Sequence, residues 1–304
     1  MSLAPLILFV YNRLEHTRLT IEALLKNKLA AESELFIFSD QAKNNLNIET
    51  VAEVRHFIKG IAGFKSITVI EREENYGLAR NIIEGVTEII QKYGRVIVLE
   101  DDLITSPFFL QFMNDALRVY ENEPKVAHIQ GFCYDIPNLP ETFLTQWIGS
   151  WGWATWQRAW KFFERDGDVL LKRIATSEKI SRDFDFNARY TRMLKHQTEG
   201  KNNSWAIRWH AVCFLNDMLA LNSGRSLIQN IGFDGSGTNC EIDNQFDNEV
   251  FAKPVKVKKI EPIVKNMDVH RKISIYNKKR NSLQSKIKTY LQNSSFHSIV
   301  NLFK

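Results

Sequence analysis

Three adjacent carboxylates, Glu100-Asp101-Asp102, stand directly after the apolar run Val96-Ile97-Val98-Leu99. The first three residues of that run are β-branched, so it reads as a buried strand. The acids fall where this strand leaves its sheet. In open α/β sheets, ligands lie at the carboxyl ends of strands. Carboxylates at such a place suit Mg²⁺ or Mn²⁺, hard cations that take oxygen ligands and keep coordination sites for substrate phosphates. A solvated turn ahead of an acidic helix start is the plainer reading of the same triplet, and its surroundings decide between the two.

The elements that must position these acids alternate along the first hundred residues. Strands are predicted over 5–11, over 35–39 ending in Asp40, over 66–70 and over the 96–99 run. Helical spacing is predicted over 15–28, 48–61 and 77–93. Alternation of this kind implies a largely parallel sheet with covering helices. After the triplet, Ser106-Pro107 has the composition of a helix start, and 126–131 reads as a further strand. The composition then shifts: 149–156 holds three Trp and two Gly in eight residues, and Gly, Ser and Asn crowd 224–240. No GxGxxG follows the first strand and no Gly-Lys-Ser/Thr loop is present. A dinucleotide Rossmann site and a Walker NTPase are therefore not expected.

A chain of 304 residues buries a large core in one or two domains. No apolar run approaches the roughly 20 residues needed to cross a bilayer. Cys133, Cys213 and Cys240 are scattered, with no pair at metal-ligand spacing, which predicts a reducing, cytoplasmic setting without structural zinc. Residues 253–304 carry 13 of the 40 basic residues but only 2 of the 35 acidic ones. The chain is thus an acidic body with a basic C-terminal extension, and the extension calls for an anionic partner. Anionic lipid at the inner face of the membrane is the expected one, with the protein peripheral there. Nucleic acid is not expected, because the body is acidic and has no recognised binding module.

Several pieces stand in a familiar order: Phe9-Val10-Tyr11-Asn12-Arg13 after the first strand, Ser39-Asp40 after the second, Asn75-Tyr76-Gly77-Leu78-Ala79-Arg80-Asn81 opening a helix, the strand into Glu100-Asp101-Asp102, and a Trp-Gly-Trp segment. Together they resemble a nucleotide-sugar glycosyltransferase of the GT-A type, and more narrowly the bacterial surface-polysaccharide sugar transferases related to N-acetylglucosaminyltransferase I. The resemblance implies a GT-A (nucleotide-diphospho-sugar transferase) fold, an α/β, Rossmann-like mixed, mainly parallel sheet flanked by helices. It implies a catalytic domain over 1–252, with a nucleotide-sugar-binding half (1–105) and an acceptor-binding half (106–252). The implied partners are a nucleoside diphosphate sugar, UDP-sugar first, and a glycan or lipid-linked acceptor. By the same resemblance Asp102 would ligate Mn²⁺ or Mg²⁺, while Glu100 and Asp101 would hold ribose or donor sugar. Asp40 would accept from the uracil imide, Asn12 and Arg13 would line the nucleotide pocket, and Asn75 and Arg80 would touch donor phosphate or sugar.

Trp151 and Trp153 are expected as an acceptor platform, with Gly152 between them marking a close backbone approach. Trp156 and Trp160 are expected in the core, and His128 and His210 as packed or surface histidines rather than metal ligands. The family's Trp-Asp-Asp-Trp segment, which supplies its catalytic base, has as nearest match Ser204-Trp205-Ala206-Ile207-Arg208-Trp209, without the acids. Trp205 and Arg208 are placed with the acceptor on that match. An inverting transferase needs a base for the acceptor hydroxyl, and Asp234, then Asp135, are the candidates. A retaining reaction needs none in that place. Gly237-Thr238-Asn239-Cys240 occupies the place of a late metal-binding His, but no His stands there. Each site residue has a structural alternative: Asp40 and Asn75 as turn residues, and Arg80 paired with Glu84 one helical turn on. Two other functions fit parts of the pattern: a sugar nucleotidyltransferase, and a non-catalytic nucleotide-sugar-binding scaffold.

Overall fold

The structure, a computed structural model, describes residues 2–236 and 249–282. Its central sheet is built around β1 (Leu6–Val10) and β4 (Arg95–Glu100), which pair in parallel with Phe9 opposite Glu100. On the other flank of β1, β2 (Glu34–Ser39) and β3 (Ser66–Glu71) follow in parallel. The chain therefore steps outward from β1 to β3 and crosses back to β4, so a topological switch point lies between β1 and β4. Beyond β4 the sheet becomes mixed. The remaining strands are β5 (Leu103–Thr105), β6 (Val126–Gln130), β7 (Thr142–Thr145), β8 (Trp153–Trp156), β9 (Leu219–Ser223) and β10 (Ile228–Asn230). The eight-stranded order is β3-β2-β1-β4-β8-β6-β9-β7, and β5 pairs separately with β10 in antiparallel register. β8 runs antiparallel to both β4 and β6.

The helices are α1 (Leu14–Leu25), α2 (Ile48–Lys59), α3 (Gly77–Tyr93), α4 (Phe109–Val119), α5 (Gln157–Trp160), α6 (Gly167–Ile174), α7 (Glu178–Asp185), α8 (Tyr190–Thr198), α9 (Trp205–Leu215) and α10 (Met267–Arg280). Alternate strand residues point to opposite faces, and both faces are covered. Leu6, Leu8, Ile97 and Leu99 pack with Ile21 and Leu24 of α1, Val54 of α2 and Met113 of α4. Ile7, Phe9, Val96 and Val98 pack with Ile82, Val86 and Ile90 of α3 and with Trp209 of α9. Burial on both faces explains why these strands read as continuous apolar runs rather than alternating ones. The expected α/β architecture, a mixed, mainly parallel sheet flanked by helices, is the one adopted.

Two local expectations change. α4 begins at Phe109 rather than at Ser106-Pro107. The Ser106 hydroxyl accepts from Phe108 N at 3.2 Å and donates to Phe251 O at 2.7 Å, tying the helix entry to an irregular segment far along the chain. The first part of the basic extension folds onto the body. Val255, Val269 and Ile273 are buried in the core, and Asn266 N donates to Leu144 O at 2.8 Å. Residues 237–248, with Asn239 and Cys240, and 283–304 lie outside the described residues. No helix of the described residues is long and apolar enough to cross a membrane.

Candidate active site

The exit of β1 and the exit of β4 meet at the switch point. Arg13 leads into α1, and its guanidinium donates to Asp101 and, at 2.8 Å, to Asp102 Oδ2. Thr20, two turns along α1, donates its hydroxyl to Asp101 O at 2.8 Å and accepts from Leu103 N at 3.2 Å. α1 is thereby bolted to the backbone of the triplet. The β5–β10 ribbon brings a third segment, because Ile231 N donates to Asp102 O at 2.9 Å. Gly232 then lies so close that a Cβ there would stand 2.2 Å from Asp102 Oδ2. Only a residue without a side chain fits beside that carboxylate.

The charges in this cleft do not balance. Desolvation, then Asp102 and Asp101, pushes Glu100 above the ordinary carboxylate range. Desolvation also raises Asp101, although Arg13 pulls the other way. Burial works against the Arg13 charge, but Asp101 and Asp102 outweigh it and hold the guanidinium above its ordinary value. Asp101 Oδ2 is buried with no hydrogen-bond partner among the described residues. One guanidinium facing three carboxylates leaves surplus negative charge, and a second cation would relieve it. The residues present thus fit a divalent cation by charge and donor chemistry. Among the described residues, no three His, Cys, Asp or Glu side chains converge as a ready-made cage, so substrate oxygens would have to complete the coordination.

Sequence reasoning missed His16. It lies one turn after Arg13 on α1, and its Nε2 stands 3.2 Å from Asp234 Oδ2. The signal was present as Arg13-x-x-His16, which puts both side chains on neighbouring positions of one helix face. Asp234 Oδ1 accepts from Ser236 N at 2.9 Å and from Ser236 Oγ at 2.6 Å. Trp151 sits edge-on to Phe233 with ring centroids 5.5 Å apart, so the first Trp of the Trp-Gly-Trp segment flanks this loop.

Several expected site residues are engaged elsewhere. Asp40 accepts from Gln41 N (2.9 Å) and Tyr76 N (2.8 Å) on one oxygen, and from Gly77 N (2.8 Å) and Asn75 Nδ2 (3.2 Å) on the other. Both oxygens are fully used, which leaves no lone pair for a uracil imide. Asp40 instead fastens the start of α3, where Gly77 takes φ +66°. Asn75 Nδ2 also donates to Gln41 O at 2.6 Å. Arg80 pairs with Glu74 at 2.8 Å and with Glu84 at 3.1 Å and lies over the Tyr76 ring. Trp153 and Trp205 are core residues, 1% and 3% exposed, and they stack on each other at 5.0 Å. They are no acceptor platform, because a sugar cannot reach them. Arg208 is buried too, donating to Ser204 O, Arg165 O and Asn203 Oδ1, so it holds the entry of α9 rather than an acceptor. Asp135 is exposed after Tyr134, and no hydrogen bond or ion pair ties it to the triplet among the described residues. Asn12 is half-buried beside Arg13.

Asp40→Ala is therefore expected to act through stability. It strands the N–H groups of Tyr76 and Gly77, and the loss should be about 2–3 kcal/mol by urea denaturation. Asp40→Asn, which can accept on one oxygen only, should recover part of it. Unchanged stability in both variants would sink this assignment.

No protein-family model and no curated protein sequence matches the chain. Among solved structures, it is similar to the mannosyltransferase PcManGT from Pyrobaculum calidifontis in complex with GDP-Man and Mn²⁺, with TM-score 0.41, 12% identity, and 70% of each chain covered. It is also similar to TarS of S. aureus, with TM-score 0.42, 14% identity and 74% of this chain covered, although the match spans only 36% of TarS. A UDP-glucose pyrophosphorylase complexed with UDP-glucose matches with TM-score 0.36, 10% identity, and 73% and 90% of the two chains covered. Likenesses this distant leave the activity to be argued from the chain's own site.

Proposed function

We propose that this chain is a GT-A type glycosyltransferase that moves a sugar from a nucleoside diphosphate to a hydroxyl of a surface glycan or lipid-linked oligosaccharide. The observation that carries this reading is the meeting of Arg13 with Asp101 and Asp102 at the carboxyl ends of β1 and β4. That crevice is where open α/β sheets take their ligands. Its surplus of buried carboxylate suits a cation-assisted reaction on a diphosphate. The preference for uridine loses its ground once Asp40 is committed to α3, so the donor is proposed at the level of a nucleoside diphosphate sugar.

In this mechanism Asp102 would hold Mn²⁺ or Mg²⁺. Such an ion supplies positive charge where the diphosphate leaves. Glu100 and Asp101 would face the ribose or the sugar of the donor. Arg13 keeps the acids oriented through its two ion pairs and adds a fixed positive charge beside the leaving group. Gly232 lets the 231–236 loop close onto Asp102, and Trp151 with Phe233 offers an aromatic wall for an acceptor ring. The exposed Lys253, Lys256, Lys258, Lys278 and Lys279 offer basic charge for anionic lipid, each worth about 1 kcal/mol when close to it, whereas Lys259 is already paired with Glu123 and Glu261.

The test is donor turnover. The protein is incubated with UDP-Gal, UDP-Glc, UDP-GlcNAc, GDP-Man and dTDP-sugars, with and without Mn²⁺, and free nucleoside diphosphate and pyrophosphate are assayed. The expected result is metal-dependent release of nucleoside diphosphate from one donor, reduced about 10²–10³-fold by Asp102→Asn. Release of pyrophosphate would favour a nucleotidyltransferase. No release, together with no metal-dependent nucleotide binding by calorimetry, would overturn the catalytic reading.

A further inference from the structure

An inverting transfer needs a group that takes the proton of the acceptor hydroxyl. The segment 204–209 cannot supply it, since Trp205 and Trp209 are buried in the core and Arg208 is bonded to backbone. The only imidazole–carboxylate ion pair among the described residues stands beside the triplet instead. It joins α1 to the 231–236 loop, and both partners are held by contacts already described. Arg13, one turn before His16, is fixed by Asp101 and Asp102. Asp234 follows Ile231 and Gly232, which lie against Asp102. The pair is thus one helical turn from Arg13 on one side and next in sequence to Phe233, which packs on Trp151, on the other.

Building on the transferase reading, we propose that His16 is the catalytic base and that Asp234 is its positioning partner, so that the reaction inverts the anomeric configuration. Asp234 is poorly suited to be the base itself. Its carboxylate already takes two hydrogen bonds from Ser236 and stands 3.2 Å from His16 Nε2. Hydrogen bonds to the charged form stabilise it and weaken its hold on a proton. The same carboxylate is well suited to accept the Nε2–H of His16, which sets the tautomer and leaves Nδ1 as the acceptor of a proton. No side chain among the described residues occupies His16 Nδ1.

The step balances with these groups alone. The acceptor hydroxyl oxygen forms a bond to the anomeric carbon while its proton passes to His16 Nδ1. The bond from the anomeric carbon to the diphosphate oxygen breaks, and its electron pair leaves with the nucleoside diphosphate. The imidazolium, stabilised by Asp234, then returns its proton to water. Asp234 stays ionised throughout.

The full-length chain is tested with the donor identified by the turnover panel, with octyl glucoside and octyl galactoside as acceptors. His16→Ala is expected to lower turnover about 10²–10⁴-fold while donor binding by calorimetry stays within about threefold. Added imidazole should restore part of the rate, and proton NMR should show an inverted anomer in the product or in the slowly hydrolysed sugar. Asp234→Asn should give a smaller loss. In ¹⁵N-correlated NMR, wild-type His16 should carry its proton on Nε2, and this preference should fade in Asp234→Asn. Full turnover in His16→Ala, a loss that imidazole does not restore, or a retained anomer would each overturn the role of His16 and leave the transferase intact. A wild-type chain that binds and turns over no donor would remove the transferase reading and this inference with it.

Discussion

Arg13→Ala is expected to destabilise the folded chain by about 3–5 kcal/mol at pH 8.5, a loss typical of a buried charge cluster that has lost its counter-ion. Its guanidinium holds both Asp101 and Asp102, and Asp101 has one buried oxygen already without a partner. The sign of the pH dependence follows from the raised carboxylates. With Arg13 in place, burial and the neighbouring acids push Glu100 up to about 8, and without Arg13 it should rise further. A carboxylate raised in the folded state favours folding when protonated and opposes it when ionised. The variant should therefore regain stability as pH falls from 8.5 to 6.5. Millimolar Mn²⁺ should restore stability at pH 8.5, because a cation replaces the missing charge. Urea denaturation at the two pH values, with and without MnCl₂, measures both effects. A variant as stable as wild type at pH 8.5 would show that the cluster does not depend on Arg13.

The second large effect is acid lability of the core around the tryptophans. His128 lies on β6, fully buried, with Nδ1 accepting from Trp209 Nε1 at 3.2 Å and the ring stacked on Trp153. Burial, then the nearby His210, pushes His128 down to about 3. Burial pushes His210 down to about 4. Unfolded histidines take up protons near pH 6.5, whereas these two stay neutral in the fold. Stability is fully present above about pH 6.5 and is lost as pH falls toward the folded values. At pH 5 each histidine should cost about 2 kcal/mol. The raised carboxylates of the triplet act in the opposite direction over part of this range, so the comparison must be between variants. His270 on α10 is also pushed down to about 4, chiefly by burial, so His128→Asn should flatten the decline between pH 7 and pH 5 by about a third in thermal unfolding. A decline of unchanged slope would assign the acid sensitivity to other groups.

What the sequence by itself determined is what local pattern carries. Short apolar runs specify β1, β2 and β4, and apolar spacing specifies α1 to α3, because strand and helix periodicity are properties of neighbouring residues. The position of Glu100-Asp101-Asp102 at the end of such a run was equally legible. Tertiary structure decided which side chains are free to act. Trp151 and Trp153 are expected together as an acceptor platform because Gly152 between them marks a close backbone approach. Gly152 takes φ +60° with its Cα packed against Ile228, so the strand begins only at Trp153 and the two rings part, one beside Phe233 and one into the core. Asp40 was legible as the end of a strand, but its four donors come partly from Tyr76, Gly77 and Asn75, a loop that only the β2–β3 pairing brings near. His16 and Asp234 belong to segments far apart in the chain, and the β5–β10 ribbon alone carries one to the other. Periodicity reports which residues share a face. It does not report what that face meets, and at this site the partners were chosen by long-range packing.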